Sequence, residues 1–335
     1  MRHDLTGRRR RIFSFALCAV LLAPGRSAEA QQAAKVPQIG FLTTGGRATS
    51  VASVDAFRQG LRELGYVEGK NINIEYRYAE GRFERLPELA KELVRLKVDI
   101  FLVPSAAVAR PTTKVTATIP IVMVNAGDPI ASGVVASLAR PGGSVTGLTT
   151  YSPELLGKRL ELLKEVVPKV SRFAFLIEPD STANRTFFTD AQLAAKALGV
   201  NFQVVEVKVP NPDFEGAFRF IVKERIGALV TEATQLITFY RQRILELVEQ
   251  NRIAAIHSEQ EWANAGGLMS YGANRVDSYR RAAVYVDKIL KGAKPADLPI
   301  EGPMKFEFVI NLKAAKTLNL SIPQSVLYRA DRVIK

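Results

Sequence analysis

The sequence predicts an α/β protein made of two doubly wound lobes of parallel sheet. Three observations carry this. Short apolar runs such as "VDIFLVP", "IPIVMVNA" and "RFAFLIEP" alternate with amphipathic segments along most of the chain, and uninterrupted apolar strands belong to parallel sheets covered on both faces. Roughly ten such strands are more than one open sheet ordinarily holds. A glycine- and proline-punctuated stretch, "VNAGDPIASGVVASLARPGGSVTG", divides the pattern into two series where a connection between lobes belongs.

The elements follow in order. Residues 1–30 read as a cleavable signal peptide: a basic start "MRHDLTGRRRR", the apolar run "IFSFALCAVLLA" and a small-x-small site at Ala28-Glu29-Ala30, with the cut after Ala30. The run is shorter than the ~20 residues a stable span requires. Cys18 sits in a poor lipoprotein box, and Arg10-Arg11-Ile12-Phe13 resembles part of a twin-arginine signal, so both export routes remain open. The protein is expected in the periplasm. "VPQIGFL" predicts a buried strand, "TTGGRATS" a turn, and "VASVDAFRQGLRELG" a helix closed by Gly65. "NINIEYRYA" alternates as a strand. A helix "ERLPELAKELVRLK", the strand "VDIFLVP", a loop "SAAVARP" and the strand "IPIVMVNA" complete the first series.

In the dividing stretch, "SGVVASLAR" predicts a short helix capped by Ser132, "RPGG" a tight turn and "SVTGLTT" a strand. It lacks the lysine of a phosphate loop and the spacing of a dinucleotide fingerprint. The second series runs helix "SPELLGKRLELLKEVVP", with Ser152 as cap and Pro153 at its first position, then strand "RFAFLIEP", helix "NRTFFTDAQLAAKALG" and strand "NFQVVEVKV". Helix "PDFEGAFRFIVKERI", strand "GALVTEA", helix "ITFYRQRILELVEQNR" and strand "IAAIHSE" come next. "LMSYGAN", the helix "RVDSYRRAAVYVDKILKG", the linker "AKPADLPIEGP", the strand "KFEFVINL" and the helix "KAAKTLNL" finish the pattern.

Composition narrows the chemistry. Without residues 1–30 the 46 basic and 33 acidic side chains become 40 and 31, no cysteine remains, and His257 is the one histidine. Disulfides, thiol nucleophiles and Cys/His zinc sites are thereby excluded. No G-x-S-x-G turn presents a serine to His257. The surplus charge is scattered through mixed helices such as "PELAKELVRLK", the mark of solvated faces rather than of nucleic-acid binding. No catalytic residue, metal or cofactor is expected.

The "GDPIASGVVASLARPGGSVTGLT" run resembles the signature of a family of ABC-transporter substrate-binding proteins, the tryptophan/tyrosine-type solute-binding group. "FRQGLRELGYVEGKNINIEYRYAEG", "GGLMSYGANRVDSYRRAAVYVDKILKGAKPADLP" and "KFEFVINLKAAKTLNLSIPQSVLYRAD" extend the likeness over residues 36–335. The resemblance implies a type I periplasmic-binding fold, with two lobes, several crossover strands and a ligand cleft. The expected lobes are 36–149 plus 264–302, and 150–263 plus 303–335. It also implies a small solute, best an amino acid and possibly an aromatic one, delivered by a monomer to an ABC permease with its ATPase. A periplasmic sensor of the same fold and an exported enzyme using carboxylates, or Lys158 and Arg159, are the rival readings.

In open parallel sheets, ligands bind beyond the carboxyl ends of the strands. That rule picks Thr43 to Gly46, Ser105 to Ala107 and Asn125 to Asp128 in the first lobe. In the second it picks Thr149-Thr150, Glu178 to Asn184, Glu232 to Thr234 and Ser258-Glu259. The hydroxyls of Thr43, Thr44 and Ser105 beside helix starts suit a carboxylate. Asp128, Asp180, Glu232 and Glu259 suit an ammonium group, and Ala106, Thr150 and Asn184 are further ligand-binding candidates. Each also has a structural reading: caps for Thr43, Ser105 and Asn184, a turn for Asp128, an ion pair for Glu232 or Glu259. The rings of Tyr151, Tyr240 and Trp262 fit ligand stacking or lobe packing, and His257 fits a hydrogen-bonded place in the sheet.

Overall fold

A computed structural model describes residues 35–150, 153–178, 184–208, 211–231 and 234–335. The expected signal peptide lies outside these residues. The first series folds as β1 (Gln38–Thr43), α1 (Arg47–Glu63), β2 (Asn73–Tyr78), α2 (Leu86–Arg95), β3 (Ile100–Val103), α3 (Ala106–Thr113), β4 (Ile121–Ala126) and β5 (Val145–Thr149). The five strands form one parallel sheet in the order β2-β1-β3-β4-β5. Ile39, Phe41, Ile100 and Val122 point to one face with Phe57 and Leu61 of α1. Leu42, Phe101, Val103 and Met123 point to the other with Leu89 and Leu93 of α2. Each such fully buried side chain removes apolar surface worth roughly 1.5–3 kcal/mol, so the sheet is held from both sides.

The second series contributes α4 (Pro153–Val166), β6 (Arg172–Ile177), α5 (Asn184–Ala197), β7 (Asn201–Glu206), α6 (Phe214–Lys223), β8 (Ala228–Thr231), α7 (Gln235–Phe239), α8 (Arg241–Gln250), β9 (Ala254–His257), α9 (Gln260–Asn264) and β10 (Met269–Ala273). Then come α10 (Arg275–Leu290), β11 (Phe306–Asn311), α11 (Leu312–Thr317), α12 (Gln324–Leu327) and β12 (Arg332–Ile334). Seven strands form the larger sheet in the order β12-β11-β10-β9-β8-β6-β7, parallel except where β11 runs against β10. Phe173, Phe175, Val230 and Ile256 pack one face, and Ala174, Leu229 and Ala255 the other, against Phe218 and Ile244.

Four local readings are corrected. The helix α1 begins at Arg47, inside the expected turn, because Thr49 exchanges hydrogen bonds with the Gly46 backbone and closes a capping box there. "SAAVARP" is helix α3 rather than loop, since Val108, Ala109 and Thr112 bury one face of it. "SGVVASLAR" is a chain of turns rather than a helix: Asp128 and not Ser132 receives the first N–H groups, and Gly133 takes a φ of 68°. The expected single helix from Ile237 to Arg252 is α7 and α8, broken at Tyr240.

The chain passes between the sheets three times, from β5 into α4, from β10 into α10, and from the segment around Glu301 into β11. Although β10 was expected in the first lobe as part of 264–302, it pairs with β9 and β11 in the larger sheet. The helix α10, which follows it, packs back on α1, β4 and β5, and Leu298 and Ile300 beyond it join the first sheet's core. Thr149 and Thr150, expected in the second lobe, end the first sheet. The backbone of Glu301 lies along β5, with Thr149 donating to its carbonyl at 2.9 Å and Glu301 donating to Gly147 at 3.1 Å. Two of the three passages therefore leave from one edge of the first sheet. No helix among the described residues is long and apolar enough to cross a membrane.

Candidate functional site

In the first sheet the strand order reverses between β1 and β3, which makes the loops after them the place where a ligand meets parallel strand ends. Thr43 and Thr44 are buried there, and the Thr43 hydroxyl accepts from the Gly45 N–H at 3.2 Å. That hydroxyl shapes its own loop. Ser105 stands at the N-cap of α3, and its side chain makes no capping hydrogen bond. It is 9% exposed, and its Oγ has no hydrogen-bond partner among the described residues. The Oδ1 of Asn125, on the next strand, is also buried without one. Asn125 is fixed through its own N–H to the Pro104 carbonyl at 2.9 Å. Ser105 and Asn125 thus lie on strand ends joined by a backbone hydrogen bond. The first N–H groups of α3, those of Ala106 and Ala107, have no acceptor inside the helix. An anionic group placed here would accept from the Ser105 hydroxyl and from these N–H groups, whereas Asn125 Oδ1, an acceptor, calls for a donor such as an ammonium group.

The neighbouring candidates are occupied by the fold. Oδ1 of Asp128 accepts from Ile130 at 3.0 Å and Ala131 at 2.9 Å, and its carbonyl accepts from Ser132. Its carboxylate therefore builds a turn. The Thr149 hydroxyl donates to the carbonyls of Ala126 and Gly127, and Thr150 binds the Ala126 carbonyl through its N–H at 2.7 Å. These threonines fasten the end of β5 to the end of β4.

In the larger sheet the order reverses between β6 and β8. Asp180 and Glu232, in the segments that follow these strands, lie outside the described residues, as do Tyr151 and Ser152; the backbone of Asn184 opens α5. Glu259 is an ion-pair partner. Its Oε1 lies 3.3 Å from Nη1 of Arg275, and its Oε2 is 3.5 Å from the Thr238 hydroxyl. Arg275 belongs to α10 on the first lobe, so the pair spans the two lobes. Its guanidinium also lies 5.7 Å from the centre of the Tyr279 ring. Burial works against the Arg275 charge, but Glu259, Tyr279 and Glu261 outweigh it and raise its pKa. Burial, then the nearby Glu259, raises the pKa of Glu261. Sequence reasoning missed Arg275 and Glu261. The one available signal was two acids and an arginine flanking the last strand before a lobe passage.

His257 takes the expected place in the sheet: it is fully buried, with Nδ1 2.8 Å from the Thr231 hydroxyl on the next strand. Burial, helped by Arg159 and Arg241, pushes its pKa down to about 3, so it is neutral at ordinary pH. Its ring stacks on Trp262 at 4.2 Å, and Tyr240 packs on Phe214 at 5.1 Å. Trp262, fully buried, and Tyr240 are thus lobe packing. Lys158 pairs with Glu161 at 2.7 Å, and buried Arg159 donates to the Tyr271 carbonyl at 2.7 Å. Among the described residues no group of His, Cys, Asp or Glu side chains is placed to hold a metal ion.

Two mainly parallel sheets joined by three passages, each with a reversal of strand order, are an architecture suited to holding a small solute. A family model for ABC transporter substrate binding proteins matches residues 47–334. The chain belongs to this family. Membership places it among substrate-binding proteins rather than enzymes, with a small molecule and transporter subunits as the family's partners. The tyrosine-binding protein of Clostridioides difficile is 27% identical over 264 residues, covering 79% of this chain and 75% of the relative. A conserved domain protein from Vibrio cholerae O1 shares the fold with a TM-score of 0.82 at 25% identity, over 89% of this chain and all of that one. An ABC domain from Streptococcus pneumonia, solved in complex with L-Trp, has a TM-score of 0.81 at 24% identity, over 89% and 99%. As a substrate-binding protein the chain needs a site that grips a solute and lets it go unchanged.

Proposed function

We propose that this protein is the periplasmic receptor of an ABC importer for an amino acid, best an aromatic one. Residues 1–30 direct its export and are removed after Ala30, and the mature protein works as a monomer that hands its solute to a permease driven by an ATPase. The observation that carries the reading is the pair of buried, unsatisfied polar atoms at the reversal point of the first sheet, Ser105 Oγ and Asn125 Oδ1, beside the start of α3. A carboxylate accepts from the hydroxyl and from the backbone of Ala106 and Ala107 there. The amide of Asn125 gives the site a second handle. Thr43, Thr44 and Thr150 shape the walls. Glu232 and Asp180, in the segments that follow β8 and β6, are assigned to the ammonium group. The tyrosine-binding relative supports an aromatic amino acid as the solute.

A micromolar receptor draws about 8 kcal/mol from its site, within reach of a few charge-assisted hydrogen bonds and one buried ring. The test is a thermal-shift and calorimetry screen of the leader-free protein against L-tyrosine, L-tryptophan, other amino acids and small organic acids. Ligand at 100 times its Kd stabilises by about 2.7 kcal/mol, a shift of a few degrees. Ser105→Ala is expected to weaken binding by roughly 10- to 100-fold, as loss of a hydrogen bond to a charged group does, and Glu232→Ala to abolish the shift. Equal response to organic acids lacking an amino group would refute the amino-acid assignment.

A further inference from the structure

Phe239 is the last residue of α7 on the second lobe, and its ring is 51% exposed. The ring reaches the first lobe. A methyl group added to Gly81 would run into Cζ and Cε2 of that ring and lie 3.0 Å from Cε1, so the tip of the phenylalanine rests on bare backbone. Gly81 has a φ of 78°, which favours glycine on conformational grounds as well.

Both ends of this contact are tied to the candidate site. On the first lobe the chain after β2 continues along the Thr43 loop: Ala79 donates to the Thr43 carbonyl at 2.9 Å, Glu80 to Gly45 at 3.4 Å and Gly81 to Thr44 at 2.7 Å. On the second lobe, Tyr240 meets the Phe239 ring edge-on at 5.1 Å and itself packs against buried Phe214. The hydroxyl of Thr238, one residue away, reaches Glu259. Phe239 is therefore a braced side chain and not a loose one.

Its position gives it leverage. β2 is the edge strand of the first sheet farthest from β5, where two of the three lobe passages leave. A contact at that edge closes the mouth at the greatest distance from the hinge, and any opening of the lobes breaks it first.

Taking the amino-acid receptor reading as given, we propose that Phe239, seated on Gly81, is the positioning residue that holds the lobes shut over the solute and sets how slowly it leaves. Phe239→Ala removes the ring and leaves the core of either lobe intact. Dissociation of labelled L-tyrosine and L-tryptophan from the leader-free variant is expected to be about tenfold faster, equivalent to about 1.4 kcal/mol, with the association rate and the unfolding midpoint unchanged. Small-angle scattering of the ligand-free and ligand-saturated variant is expected to give a larger radius of gyration than the wild type. Phe220→Ala, which removes an exposed ring from α6, should match the wild type throughout. Gly81→Ala should reproduce the faster release, alongside the stability cost of its backbone angle. If the wild type binds neither amino acid, the solute assignment fails and scattering alone judges the latch. A scattering profile that Phe239→Ala leaves unaltered, with or without amino acid, overturns the latch.

Discussion

His257 shows how one buried residue ties the stability of the second lobe to pH. Its native pKa is about 3 against an ordinary value of 6.5, chiefly through burial. Between those values the unfolded chain binds a proton that the native state refuses, so stability rises with pH and is lost as pH falls below 6.5. The slope is about 1.4 kcal/mol per pH unit at full effect. Urea unfolding at pH 6.5 and pH 5 should therefore show the wild type losing about 2 kcal/mol more than His257→Gln. Equal losses would mean that the imidazole is open to water. The sequence already placed this residue correctly, because a lone histidine ending an apolar strand has a polar neighbour only across the sheet, here Thr231. It could not place Arg275 against Glu259: the two lie on different lobes, and nothing local in "GANRVDSYRR" says which acid the arginine meets. Asp128 looked like a ligand group because turn-forming and ligand-binding aspartates have the same neighbours in sequence. One of its carboxylate oxygens, Oδ1, is taken by the turn through Ile130 and Ala131.

At the scale of elements, periodicity worked wherever packing agreed with it and failed in the two segments flanking β4. "SAAVARP" looks too short and too broken by Pro111 to be a helix, yet Val108 and Ala109 are fully buried, and this burial outweighs the proline. "SGVVASLAR" has the helical spacing, yet it packs Val134, Val135 and Leu138 on the first sheet's core from turns, where the Asp128 turn and Gly133 take over. Gly147 was legible only as one glycine of a rich stretch. It sits in β5 opposite Met123 at a φ of 131°, just before the β4–β5 register shifts, and a side chain there would strike the Met123 backbone. Gly147→Ala combines backbone strain with a backbone overlap, so a loss of at least about 2 kcal/mol is expected. The urea midpoint should drop with an unchanged slope. Because β5 leads into a lobe passage, residual folded protein should also bind solute more weakly. A midpoint equal to the wild type would show that β5 tolerates a side chain there and is not held as described.

At the scale of the whole molecule, the lobes touch at Phe239 on Gly81 at the far edge and at Arg275 with Glu259 near the passage from β10 into α10. The lobed architecture could be read from strand count, but the membership of β10 could not, since an apolar strand carries no mark of the sheet it joins. That membership makes Arg275 a hinge residue. It lies two residues after the end of β10, and further polar pairs straddle the same passages, Asn274 with Glu307 at 2.9 Å and Lys305 with Asp277 at 3.3 Å. Removing Arg275 alone leaves Glu259 and the largely buried Glu261 facing each other without their cation, and breaking a buried pair from one side costs up to 3–5 kcal/mol. The guanidinium keeps one-fifth of its surface in water, so Arg275→Met should cost less, about 2 kcal/mol. Adding Glu259→Gln removes the stranded charge and should recover part of that loss, giving a coupling of about 1–2 kcal/mol in a double-mutant cycle. Since the pair joins the lobes only when they are near, the coupling should grow at saturating L-tyrosine. A cycle with no coupling, with and without amino acid, would mean that the lobes do not approach at the hinge side in solution.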